Sequence, residues 1–168
     1  MCPSSENCFE RHRTRVIALW GMQMLTFETA KRLADAALAE GARLRTVPLT
    51  VAVLDAGGYT VVVYRQTGAG NTRLQVATGK ARGALGLSFD SRGVARAAAR
   101  FPEFFAALAA AADGKVVPAP GGVLLRNDRD GIVGAIGVSG DNSDTDEACA
   151  ILAAHAVGLQ SEPSSPVT

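Results

Sequence analysis

Four acidic residues, Asp141, Asp144, Asp146 and Glu147, lie close enough in the chain to hold a hard cation between them. Their spacing lacks the alternation and the central glycine of an EF-hand loop. Acidic residues at a helix start also have a simpler reason to be there, since the free amides and dipole of the first turn favour negative charge. Asp144 with Glu147 three residues on gives a capping-box-like start to a helix over "SDTDEACAILAAHAVGL". His155 stands at the margin of that helix's apolar stripe (Ala148, Cys149, Leu152, Ala156, Leu159), the place of a core or interface histidine, although imidazole also binds metals. His12 lies in the N-terminal tail and carries no argument. Lys80 and Arg82 flank another stripe on opposite sides, each about 100° from its centre, so they cannot reach one pocket straight from the helix face. Arg73 shares the side of Lys80. These are either solvated cations whose stems cover apolar surface or contacts for an anion. Tyr59 follows the glycines of "DAGG" and either covers a hairpin or offers a phenolate able to ligate iron. The cysteines Cys2, Cys8 and Cys149 make no disulfide framework and no metal-ligand spacing, and Cys149 reads as a small core residue. There is no GxSxG and no nucleophile with a base beside it, and "GAIGVSG" fails the spacing and context of a dinucleotide loop. No catalytic set emerges, and the residues point to binding.

The elements that must position these groups follow from periodicity. Thr26 caps a helix with Phe27, Ala30, Leu33, Ala34, Ala37 and Leu38 on one face and Gly41 as its stop. "PLTVAVLD" and "TVVVYR" are β-branched runs joined by Ala56-Gly57-Gly58, a hairpin. "TRLQVATGKARGALGL" is helical, with Leu74, Ala77, Ala81, Ala84 and Leu85 as its stripe. A helical segment opens at Ser91, and Pro102 starts another whose expected buried face is Phe101, Phe104, Phe105 and Leu108. Then come a short strand "KVVP", the strands "GVLLRND" and "GIVGAIGVSG", and the acidic-capped helix. The order α-β-β-α-α-β-β-β-α predicts an α/β (α+β) fold, a mainly antiparallel sheet packed with helices rather than a doubly wound parallel one. Residues 1–25 read as a flexible N-terminal extension with Met24 as an alternative start, 26–160 as one domain, and 161–168 as a disordered tail.

At 168 residues a single domain can bury a proper core, and a formal net charge of +1 gives no electrostatic case for nucleic acid. Aromatic residues make up 5%, too few for a single-strand stacking platform. "RHRTRVIALWGMQML" has a basic run before an apolar one, but lacks a small-residue cleavage site and is too short to span a bilayer. The expectation is a cytoplasmic protein with no membrane contact.

"VAVLDAGGYTVVVYR", "GKARGA", "VPAPGGVLLRNDRDGIVGAIGVSG" and "DTDEACA", in this order, resemble the GlcG/HbpS family of haem-binding proteins, a domain that also forms the C-terminal part of PduO-type cobalamin adenosyltransferases. The similarity runs from about Phe27 to Leu159. It implies a profilin-like fold with a five-stranded antiparallel sheet, assembly into homo-oligomers, and small-ligand binding with haem as the cofactor. The family commonly has histidine after "DAGG" where this chain has Tyr59, so haem would be held differently here. Nothing of the first half of PduO is in this sequence, so adenosyltransferase activity is not implied. The expected function is binding of haem or a related tetrapyrrole. The alternatives are an enzyme or accessory protein acting on a small carboxylate, as in glycolate-type metabolism, or a structural oligomerisation module.

The expected site joins the "DAGGY" turn, the "PAPGG" segment and the helix bearing Lys80, beside a subunit interface. There Pro120, Gly121 and Gly122 would let a ligand or neighbouring subunit approach the backbone. Tyr59 would stack on the ligand, and Arg65 or Lys80 would pair with a carboxylate. Gly137, Ser139 and Gly140 precede a helix N-terminus whose amides attract anions. The oligomer is expected to be even-numbered, two-fold contacts being the commonest.

Overall fold

The computed structural model describes residues 24–163. Helix α1 (Phe27–Leu44) leads into strands β1 (Thr50–Asp55) and β2 (Thr60–Arg65). Helices α2 (Arg73–Leu87), α3 (Ser91–Arg100) and α4 (Pro102–Ala111) follow, then β3 (Gly122–Arg126), β4 (Ile132–Ser139), α5 (Ser143–Ala156) and β5 (Gln160–Glu162). The strands form one antiparallel sheet in the order β2-β1-β4-β3-β5, the antiparallel five-stranded sheet packed with helices that was expected.

Strand period divides the core into two faces. Val51 and Val53 of β1 join Val123, Ile136 and Val138 under α1 and α5, where Leu33, Ala37 and Ile151 are fully buried. Ala52 and Leu54 face the other way, with Leu124 and Ala135, against Ala77, Ala81 and Ala84 of α2. The small side chains of α2 let it lie almost on the sheet backbone. A Cβ on Gly137 would sit 1.9 Å from the Ala77 carbonyl oxygen, and one on Gly122 would sit 2.4 Å from that of Lys80. Gly122 and Gly137 are cross-strand partners, so together they form the seat of α2.

Four sequence expectations change. "KVVP" is not a strand: Val117 N–H donates to Gly79 O (3.1 Å), tying the segment to α2 rather than to a sheet edge. The fifth strand is Gln160–Glu162, which pairs with β3, so residues 161 and 162 of the expected tail belong to the sheet. These polar residues show no apolar alternation; backbone pairing and the Arg126–Glu162 ion pair (2.7 Å) hold them. At α5 the capping residue is Asn142, which accepts from Thr145 N–H (2.9 Å). Glu147 turns to Arg92 instead of completing a capping box. Finally, α4 starts at Pro102 as expected but buries none of its residues; Phe101 is 54% and Phe104 56% exposed. The apolar pattern there reads the same for an interface as for a core. Leu25 already packs into the core, while residues 1–23 and 164–168, which hold His12, Cys2, Cys8, the rest of the extension and most of the tail, lie outside the described residues.

Candidate functional site

Lys80, Gly121 and Gly122 do come together, but inside the molecule. Lys80 is 2% exposed, and its ammonium donates to Asp146 Oδ2 (2.8 Å) and the Val138 carbonyl (2.9 Å). Gly121 has φ +113°, and a Cβ there would lie 2.8 Å from Lys80 Nζ and 2.9 Å from Val138 O. The bulk that glycine removes is thus taken up by the protein's own backbone and by Lys80. Pro120 is half-buried at the edge of this knot. Burial pushes the Lys80 pKa down against the pull of Asp146, and burial likewise pushes the Asp146 carboxyl up. Asp146 Oδ1 also accepts from Asp141 N–H (3.0 Å), so this pair locks α2 to the start of α5.

The other acidic residues have structural partners too. Arg92 donates to Glu147 Oε2 (2.9 Å) and to Asp144, joining α3 to α5. Burial raises the Glu147 pKa. His155 is exposed at the end of α5, its Nε2 3.1 Å from Ser161 Oγ, which anchors β5. Cys149 is fully buried, and desolvation pushes its thiol up to about 11, as befits a packing residue.

Tyr59 and Arg65 stand at opposite ends of β2. At about 3.3 Å per residue the strand separates them by about 20 Å, too far to grip one end of a small ligand together. Arg65 donates to the Ala69 carbonyl and braces the connection to α2. Tyr59 is 75% exposed, with its ring over Gly57 of its own turn. That turn is set by Asp55 Oδ1, which accepts from Gly57 N–H (2.9 Å) and Tyr59 N–H (3.0 Å).

A cleft of about 470 Å³ opens immediately beyond Tyr59, between β2, α2 and the α4–β3 connection. Val63 and Leu74 on its walls are each 38% exposed, leaving apolar surface open. Arg82 comes from α2 and Lys115 from the connection; Lys115 is held by Asp113 at 2.8 Å. Arg82, half-buried, has no ion-pair partner among the described residues. Lys80 and Arg82, on opposite sides of α2, serve different regions: Lys80 is buried, and Arg82 lines the cleft. Its place opposite Lys80 on α2 was the signal. Lys115 had none, because only the fold brings it there.

The cleft can take the flat apolar face of a ring against Val63 and Leu74, with carboxylates towards Arg82 and Lys115. It does not offer an iron ligand of the usual kinds, since none of the described residues lining it is His, Cys, Met or Tyr.

Similar proteins bear on this geometry. A family model described as "Haem degrading protein HbpS-like" matches residues 25–155. The solved complex of PduOC with haem is 26% identical with a TM-score of 0.74, covering 83% of this chain and 99% of that one. Streptomyces reticuli HbpS, solved as a double mutant, is 28% identical with a TM-score of 0.70, covering 81% and 88%. Klebsiella pneumoniae protein ORFY, at 22% identity and a TM-score of 0.71 over 79% and 89%, speaks for the fold alone. No curated protein matches. With the family match running from Leu25 through α5, and the same fold in relatives of known structure, the chain belongs to the HbpS-like family.

Proposed function

We propose that the protein binds a planar, carboxylate-bearing small molecule of the haem class in the cleft between β2 and α2, without a catalytic set of its own. The observation that carries this reading is the pairing of open apolar surface, Val63 and Leu74, with the cations Arg82 and Lys115 in one concave site. The volume of about 470 Å³ falls within the range of small-molecule sites, roughly 300–1,000 Å³. The similarity to PduOC, whose complex with haem has been solved, supports the ligand class. Tyr59, 75% exposed and next in the chain to the lining residue Thr60, would have to swing off its own turn to cover a bound ring. Lys80, Gly121 and Gly122 hold the cleft's supporting helix to the sheet instead of touching the ligand.

Haem titration followed by absorbance tests the reading. A saturable Soret change at micromolar haem is expected. Arg82→Ala should weaken binding about ten- to a hundredfold, the worth of a charge-assisted contact of about 1.5–3 kcal/mol, and Lys115→Ala, whose exposed ammonium already pairs with Asp113, should weaken it less, by about two- to fivefold. Absence of a saturable change sinks the reading. Wild-type affinity in both variants would move the ligand out of this cleft. Turnover of a small carboxylate without haem binding would favour the enzymatic alternative.

The same reading includes assembly into an even-numbered homo-oligomer through α4. Its exposed Phe101 and Phe104 are flanked by one cation, Arg100, and one anion, Glu103, neither of which has an ion-pair partner among the described residues. A rim carrying both signs is what a self-complementary two-fold contact requires.

A further inference from the structure

We infer that the cleft recognises the tetrapyrrole ring and its carboxylates but not the metal, so that it binds metal-free porphyrin as well as haem. This rests on the haem-class reading of the cleft and narrows what the site selects.

Three observations lead there. First, the donors facing the cleft are weak or engaged. Thr60 and Thr78 offer neutral hydroxyls, Gln75 a neutral amide, and the Asp113 carboxylate is held by Lys115 at 2.8 Å. Second, among the described residues the haem-ligand type adjoining the cleft lining is Tyr59, next to Thr60, and its ring lies over its own turn. A Cβ on Gly57 would meet Tyr59 Cδ2 at 3.1 Å and Cε2 at 3.2 Å. Third, His155 and Cys149, which could ligate iron elsewhere, are both committed. The imidazole meets Ser161 at 3.1 Å, and the thiol is fully buried under the other face of the sheet.

What remains to bind the ligand is apolar contact with Val63 and Leu74 and charge pairing at Arg82 and Lys115. Neither interaction involves the centre of the ring. On the described lining, the ring and its carboxylates would be held by Val63, Leu74, Arg82 and Lys115, with no side chain there of a usual iron-ligand type. A site of this kind takes up tetrapyrroles before metal insertion or after metal loss as readily as haem itself.

The test compares ferric haem, metal-free protoporphyrin and zinc protoporphyrin in fluorescence-quenching titrations of the full chain. The three dissociation constants should agree within about threefold, and Arg82→Ala should weaken all three by one common factor. The absorbance spectrum of bound ferric haem should be unchanged by Tyr59→Phe. Haem binding at least about tenfold tighter than the metal-free ring, or a Soret shift in Tyr59→Phe, overturns the inference while leaving haem binding in the cleft intact. If no ring binds, the haem-class reading falls and this inference with it.

Discussion

Lys80 can carry a charge into a nearly solvent-free space because Asp146 meets it there and Gly121 leaves room for its ammonium. Each partner alone is pushed towards its neutral form by desolvation, Lys80 downward and Asp146 upward, and mutual attraction offsets that push. Removing one partner should therefore cost far more than removing both. Lys80→Met is expected to destabilise the fold by about 3–5 kcal/mol at neutral pH, while adding Asp146→Leu should recover most of the loss. The pH dependence has a definite sign. In Lys80→Met the carboxyl of Asp146 has a folded pKa raised further above its unfolded value of 3.8. The folded state then holds its proton more tightly, so stability is greatest below the unfolded value and is lost as pH rises through the folded one. Urea midpoints across pH should show the variant recovering towards pH 4; a loss independent of pH would mean Asp146 is not left charged. The types and spacing of these residues were visible in the sequence, yet their pairing was not. Lys80 flanks an apolar stripe as a solvated lysine would, and Asp146 sits in a helix's first turn as a dipole-favoured acid would. Only the crossing of α2 over β4 brings them to 2.8 Å.

Helix α2 is the element on which the cleft depends, and its height above the sheet is set by glycine. The chain puts Gly137 directly under the Ala77 carbonyl, where even a methyl group would overlap backbone at 1.9 Å. Gly137→Ala must lift α2 or shift β4, so its cost should reach or exceed the upper end of the roughly 1–3 kcal/mol typical of overpacking. Gly86 near the end of the same helix has nothing within 4 Å of its would-be Cβ. Gly86→Ala should stabilise by up to about 1 kcal/mol through helix propensity alone. Denaturant midpoints moving in opposite directions would confirm the contrast; equal effects would mean that α2 does not bear on Gly137. Regular elements were the legible part of the sequence, since β-branched runs marked β1 and β2 and the 3.6-residue period marked α1 and α2. The run "KVVP" also looks β-branched, but its Val117 is drawn to Gly79 of α2. Strand β5 has no apolar pattern at all and exists because β3 presents an open edge. The glycines of the "PAPGG" segment read in the sequence as places where a ligand or a neighbouring subunit could approach the backbone. What approaches is the Lys80 backbone, and no local pattern distinguishes that from a ligand.

At the scale of the whole molecule the outstanding feature is an apolar helix that, among the described residues, leaves Phe101 and Phe104 exposed and Phe105 and Leu108 only half-buried. Helix α4 carries Glu103 as its one charged residue and buries none of its side chains, while the sequence marked Phe101, Phe104, Phe105 and Leu108 as core. An apolar stripe announces that something covers it without saying whether the cover is the same chain or another, which is why Ala77 and Phe104 read alike and end up so differently. Full burial of a phenylalanine side chain is worth about 1.5–3 kcal/mol. Phe101 and Phe104 are 54% and 56% exposed, so a two-fold contact covering them from both copies gains about half of that per ring and must also cover surface around them to hold a dimer. Arg100, the last residue of α3, already lies 5.5 Å from the Phe101 ring, and Glu103 stands in the first turn of α4 on the other side of the non-helical Phe101. In an antiparallel two-fold pairing of α4, Arg100 of each copy can face Glu103 of the other. Light scattering should therefore report an even multiple of 17.3 kDa, and Phe104→Glu should reduce it to the single chain with its circular dichroism unchanged. Arg100→Glu and Glu103→Arg should each weaken assembly by setting like charges opposite one another, and the double reversal should restore it. Monomer at high concentration in the wild-type protein would refute the contact. A double reversal that stays monomeric would leave the apolar face as an interface but reject the two-fold pairing of these charges.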